Sequence, residues 1–239
     1  ETETSLIEQF LYPKYGVGQM WQKAASVLEE GGYPVQCHRK VVGLSHADGR
    51  IILAMVENLE TGETEEIRAD YFFSTMPVRE LISGLAPAAP PEIREVSDGL
   101  IYRDFLTVGL LLKRVKLGGG ATAKDLATVL PDNWMYIQEH HVKVGRIQFY
   151  NNWSPYMAAD QDTVWVGLEY FVNEGDELWQ TDDDDLARFA IGESETIGLV
   201  DKLDVLDHVV IRVPKAYPAY FGSYGRFDEI KRYTDTFEN

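Results

Sequence analysis

The most suggestive chemistry in this sequence lies in a short loop, Tyr12-Pro13-Lys14-Tyr15-Gly16-Val17-Gly18. One proline fixes it, and Gly16 and Gly18 loosen it, just before a run with helical spacing. The free N–H groups and dipole of a helix N-terminus can hold an anion such as phosphate or carboxylate, and Lys14 adds positive charge. The plain alternative is a Pro/Gly turn that starts a helix. A second concentration is aromatic. Of the five tryptophans, Trp134, Trp153, Trp165 and Trp179 fall close together, among Tyr136, Phe149, Tyr150, Tyr156 and Tyr170. A sheet core accounts for most of them. Strands bearing Tyr150, Asn152 and Glu169 beside such rings could also line a pocket for a ring-shaped or sugar-like ligand. Asn151-Asn152 stands out, because asparagine is depleted in strands.

Other residue types carry less. The histidines are isolated, apart from the adjacent His140 and His141, which a strand would point to opposite faces. They suggest no metal site. No HExxH or GxSxG motif occurs, so no hydrolytic nucleophile is visible. Cys37 is the single cysteine. It excludes an intrachain disulfide, reads as an inert, partly buried thiol, and makes the cytoplasm the simplest compartment. Asp182 to Asp185 lack the spaced ligands of a calcium loop and read as the acidic first turn of a helix capped by Thr181. Gly118-Gly119-Gly120 is a flexible break without a phosphate-loop pattern. Lys and Arg total 22 against 39 Asp and Glu, so the formal charge is 22 − 39 = −17. That repels nucleic acid and acidic headgroups. No apolar run reaches the length of a membrane span.

The elements that must position these residues follow from periodicity. A helix is expected from Gln19 to Glu30, ended by Gly31-Gly32. Strands His38–His46, Ile51–Asn58 and Thr64–Arg68 form a three-stranded meander with turns at Asp48-Gly49 and Thr61-Gly62. The run 71–75 reads as a strand buried on both faces. Pro77 starts a helix over Val78–Ser83, and Pro87 to Pro91 reads as a linker. Further strands are expected at 105–114, 134–138, 147–153, 163–172 and 205–213, with a helix over 181–199. The fold class is α+β.

Four segments together resemble the flavin-dependent amine oxidases, protoporphyrinogen oxidases and UDP-galactopyranose mutases. Phe10 to Trp21 resembles their loop and helix. Gly31-Gly32-Tyr33-Pro34-Val35 with Val41-Val42-Gly43-Leu44 resembles the part where a strand residue packs on the adenine of FAD, and Val41 is the matching position. Asp70-Tyr71-Phe72-Phe73-Ser74-Thr75-Met76-Pro77 resembles the strand and turn that run close to the cofactor, which implicates Thr75 and Pro77. Val213 to Tyr220, with its Ala-Tyr-Pro-x-Tyr phrase, resembles the exit from the substrate domain. The sequence departs from the family in having no GxGxxG turn and no closing glycine segment near the flavin.

The resemblance implies a central fragment of an FAD-dependent oxidoreductase of the amine-oxidase type, inactive alone, with FAD held by the parent. Residues 1–87 would be a partial, Rossmann-like FAD-binding lobe with the meander. Residues 88–220 would be a mostly antiparallel substrate domain with flanking helices, and 221–239 would start the return. Tyr12, Lys14, Gly16 and Gly18 would lie between substrate and flavin. Tyr150, Asn152, Glu169, Arg212 and Tyr220 would face a small-molecule substrate, with no catalytic acid or base assigned among them. A mutase-like reaction on a sugar nucleotide is the alternative, and would need Lys14, Arg146, Arg212 or Lys215 against its phosphates. A non-catalytic binding module is a further alternative. An uncovered apolar patch on the partial lobe would allow a homodimer.

Overall fold

The computed structural model describes residues 11–116 and 119–239. The expectations that fall on Phe10 and Gly118 therefore lie outside the described residues. In chain order the first half contains α1 (Gly18–Glu30), β1 (Arg39–Ala47), β2 (Arg50–Asn58), β3 (Thr64–Ile67), α2 (Val78–Ser83), β4 (Leu85–Ala86), α3 (Pro91–Asp98) and β5 (Tyr102–Leu112). The second half contains α4 (Leu126–Val129), β6 (Trp134–Tyr136), β7 (Arg146–Phe149), α5 (Tyr150–Trp153), β8 (Val164–Val172), α6 (Glu177–Gln180), α7 (Asp183–Thr196), β9 (Val205–Pro218) and α8 (Phe227–Thr234). The class is α+β, as expected.

Two compact units emerge. One comprises the chain up to Pro34 together with Asp104–Pro214; the other comprises Val35–Arg103 and Lys215–Asn239. This division differs from a simple split at Pro87–Pro91. The supposed linker is packed: Ala89 is buried beside Ile93 and Val96 in the core of the second unit.

The first unit is a five-stranded sheet in the order β6-β7-β8-β5-β9, antiparallel through β6, β7, β8 and β5. Side chains alternate across a strand. Leu106, Val108, Leu110 and Leu112 of β5 therefore share one face with Val164, Val166, Leu168 and Tyr170 of β8, all essentially solvent-free. Leu186, Ala187 and Ala190 of α7 complete this core. Each fully buried leucine there contributes roughly 1.5–3 kcal/mol. Asp182, not Thr181, caps α7, accepting from the Asp184 N–H at 3.0 Å. Thr181 turns back to the Glu177 carbonyl instead.

The second unit has the order β3-β2-β1-β4. The β1–β2 hairpin closes at Asp48 and Gly49, both at positive φ (49° and 76°), the turn geometry that two-residue hairpins favour. β4 adds parallel to β1 at Leu44 and Leu85. Ile82, Ile93, Val96 and Ile230 bring α2, α3 and α8 into one core.

Two strand expectations fail. Residues 71–75 form no strand, and Phe73 is 95% exposed. An unalternating apolar run reads as doubly buried, but here no neighbouring strand pairs with it. The expected strand over 147–153 breaks at Phe149, where α5 begins. Asn151 drives the turn, donating to the Thr163 carbonyl and accepting from the Trp165 N–H, both at 2.9 Å. Cys37 is exposed rather than partly buried. Among the described residues, no helix is long and apolar enough to cross a membrane.

Candidate functional site

The sheet face opposite the α7 core has a different character. On β8 it carries Trp165, Gly167, Glu169 and Phe171. Register places Thr107 and Gly109 of β5 against Glu169 and Gly167 on one side. Arg146 and Gln148 of β7 oppose the same pair on the other, and Trp134 and Tyr136 of β6 follow. The two faces of one sheet thus separate an aliphatic core from a polar, aromatic and glycine-bearing surface.

Glu169 sits at the centre of that surface and is 1% exposed. A buried carboxylate is costly unless paired. Arg146 Nε donates to Oε2 and Gln148 Nε2 donates to Oε1, so both oxygens are satisfied. Burial weakens the Arg146 charge, but the Glu169 carboxylate outweighs it and holds the guanidinium protonated. The guanidinium also lies 5.7 Å from the Trp134 ring centroid and 5.9 Å from that of Tyr136. Tyr150, from α5, folds over Gly167. A Cβ on Gly167 would stand 2.5 Å from Tyr150 Oη, so only glycine admits the phenol there. Burial raises the Tyr150 pKa above the ordinary tyrosine value; Glu169 and Tyr12 add to the rise, and Arg146 opposes it.

The Tyr12–Gly18 loop docks on the same unit. Ser154 Oγ donates to the Lys14 carbonyl at 2.6 Å. The Tyr12 ring lies 5.2 Å from Trp153, which lies 5.2 Å from Trp134. Tyr12 Oη donates weakly to Met157 Sδ at 3.7 Å. Lys14 Nζ sits 4.1 Å above the Tyr156 ring, a cation–π contact. Gly16 turns at φ +87° against the Met157 methyl. Gly18 opens α1, whose cap residue Val17 makes no side-chain cap bond. Beside this loop, a cavity of about 250 Å³ is lined by Thr107, Gly109, Tyr150, Met157 and Trp165, and closed by Val209 and Ile211 of β9.

Of the substrate-facing candidates, Tyr12, Lys14, Gly16, Tyr150 and Glu169 converge on this region. Asn152 does not face it: its amide donates to the Leu130 and Asp132 carbonyls and ties down a loop. Arg212 is also committed elsewhere. It lies one residue beyond Ile211, and it binds the Trp179 and Thr181 carbonyls and the Asp183 carboxylate.

In the other unit, Val41 and Thr75 line one cavity of about 370 Å³, which also includes Arg39 and Lys40. Thr75, Pro77 and Tyr220 line a second, of about 390 Å³, with Lys215. Lys215 is ion-paired to Glu80.

Sequence reasoning missed Gln148, Gly167, Thr107, Gly109 and Met157. One signal was available. Arg146 and Gln148 alternate with the buried Ile147 and Phe149, which marks a strand with a polar face.

No family model matches the chain, and no curated protein does. Solved structures do. The chain is similar to a reduced UDP-galactopyranose mutase, at 18% identity and TM-score 0.69, over 93% of this chain and 44% of that one. It is similar to a protein from Exiguobacterium assigned as a protoporphyrinogen oxidase, at 17% identity and TM-score 0.66, over 94% and 45%. It is also similar to an oxidoreductase from Methanosarcina mazei, at 10% identity and TM-score 0.60, over 87% and 45%. The chain thus spans less than half the length of each. At these identities the likeness is one of fold. Over nearly its whole length, the chain has the α+β fold of UDP-galactopyranose mutase and protoporphyrinogen oxidase structures, two of the groups its motifs resemble.

Proposed function

We propose that this chain is the substrate-side portion of an FAD-dependent oxidoreductase of the amine-oxidase type. The observation that carries the reading is the docking of the Tyr12–Gly18 loop, through Ser154 and Trp153, beside the sheet face that bears Tyr150 and Glu169. A loop anchored against such a face can orient a substrate and exclude water from it.

Val41, Thr75 and Pro77 are the residues that would hold FAD. The cavity shared by Val41 and Thr75 fits one ring system of the cofactor, not the whole dinucleotide. Lys40 on its lining suits a phosphate, while Arg39 beside it is ion-paired to Glu65. FAD, when bound, would supply the redox or covalent chemistry. This chain would supply orientation through Tyr150 and the aromatic wall, with the Arg146–Glu169 pair holding the floor rigid.

The cations support the oxidoreductase reading over action on a sugar nucleotide. Arg146, Arg212 and Lys215 are each paired with a carboxylate. Of the four candidate phosphate partners, Lys14 alone is held by rings instead. Pairing of two copies through the exposed Tyr71 and Phe73 belongs to the same proposal.

The test is the full-length polypeptide that carries this sequence. Purified with added FAD, it should show flavin absorbance that an amine or related reductant bleaches. Protein that stays colourless would remove the flavoenzyme reading and favour a cofactor-free binding module. Flavin that turns over a sugar nucleotide without net reduction would favour the mutase alternative.

A further inference from the structure

The cavity beneath Tyr150 has a composition that selects among ligands. Its floor is formed where Gly109 stands against Gly167 in the β5–β8 register. A Cβ at Gly109 would come within 2.9 Å of Val209 Cγ1 and 3.5 Å of the Trp165 ring, so a side chain there would consume the space. The walls are a flat indole, a thioether and two branched aliphatic chains. No charged side chain lines it. On the same sheet face, Arg146 and Glu169 neutralise one another across β7 and β8. The polar groups that remain are the hydroxyls of Thr107 and Tyr150.

Tyr150 Oη has no hydrogen-bond partner among the described residues. As a lining residue with an uncommitted donor, Tyr150 can give its hydrogen bond to a ligand acceptor. Because burial holds the phenol in its protonated form, Tyr150 can donate throughout the neutral range.

We propose that this cavity binds an uncharged, largely apolar ring moiety whose carbonyl or ether oxygen accepts a hydrogen bond from Tyr150. The assignment rests on reading this face as substrate-side, and it makes Tyr150 the specificity-determining residue. Charge disfavours the alternatives. An anion would find no cation on the lining: Arg146 is bound to Glu169, and Lys14 is held over the Tyr15 and Tyr156 rings. A cation would meet an apolar wall and a carboxylate already bound by Arg146 and Gln148.

The experiment is calorimetric titration of the chain with matched naphthalenes: 2-acetylnaphthalene, 2-ethylnaphthalene, 2-naphthoate and 2-naphthylmethylammonium, with UDP alongside. The neutral ketone should bind best, about tenfold tighter than the hydrocarbon, the worth of one hydrogen bond to a partly buried donor. Tyr150→Phe should erase that tenfold difference and leave 2-ethylnaphthalene unchanged. Gly109→Val should abolish binding of both, with circular dichroism confirming the fold. The inference is overturned if naphthoate, the ammonium or UDP binds as tightly as the ketone, if Tyr150→Phe leaves the preference intact, or if no naphthalene binds. Flavin content is measured separately on the full-length protein. Ketone binding without flavin uptake sinks the enzyme reading and keeps the cavity; flavin uptake without ketone binding does the reverse.

Discussion

Arg146 and Glu169 stand directly opposite one another in the β7–β8 register, and Arg146 Nε donates to a carboxylate that is 1% exposed. Removing one partner of such a pair leaves an uncompensated buried charge. Arg146→Met should therefore lower the stability of the sheet unit by about 3–5 kcal/mol in urea denaturation. The double variant Arg146→Met, Glu169→Met should recover much of that loss, because apolar replacements of similar volume are tolerated where a lone charge is not. Additive losses in the double variant would contradict the pairing.

Gly167 and Tyr150 form a second dependent pair. Gly167→Ala puts a methyl 2.5 Å from Tyr150 Oη and 2.9 Å from Cζ. The expected cost is about 1–3 kcal/mol, as for other overpacked sites. Adding Tyr150→Phe removes the closer contact and should restore part of the loss. A double-mutant cycle with zero coupling would show that the phenol does not lie over Gly167.

Alkaline pH should expose the buried phenols. The pKa of Tyr12, Tyr150 and Tyr170 is raised, in each case chiefly by burial. The folded state therefore holds these protons longer than the unfolded chain. Their contribution to stability is intact below the unfolded value of about 10 and is lost as pH rises through the folded values. Ultraviolet phenolate titration of the native protein should show a late component that Tyr150→Phe reduces. Ionisation of every tyrosine together near pH 10 would refute this.

The α7 cap separates Asp182 from its neighbours. Asp182→Ala removes the bond to the Asp184 N–H and should cost about 1 kcal/mol, while Asp182→Asn should cost little. Asp183, Asp184 and Asp185 instead contact Arg212, His208 and Arg188 at the surface, where single ion pairs contribute about 0–1 kcal/mol. A larger loss from Asp185→Ala than from Asp182→Ala would assign the cap wrongly.

Local signals were legible in the sequence and distant ones were not. Asp48-Gly49 and the alternating Leu106 to Leu112 mark their elements by neighbours alone. Tyr150 and Trp153 favour a strand and Asn151 and Asn152 do not; Asn151 reaches Thr163 and Trp165 and turns the segment into α5. That anchor is a tertiary contact that no window of sequence contains. Glu169 was recognisable as a charge among aromatic residues. Its partners were not, because Arg146 and Gln148 reach it only through strand register. Arg212 turns on one position of parity that the sequence does not reveal: Ile211 lines the cavity, while Arg212 bonds to α6 and α7.

The two-faced β8 strand also bears on how such a protein could diversify. Val164, Val166, Leu168 and Tyr170 hold the fold, while Trp165, Gly167 and Glu169 shape the opposite face, proposed above to bind a ligand. Stability and ligand choice are written in alternate residues of one strand. Substitutions at 165 or 109 can reshape the cavity while the aliphatic layer stays untouched. Glu169 is the exception, because its change must be matched at Arg146. New specificities on this scaffold should therefore arise first at 165 and 109, with the ion pair inherited as a unit.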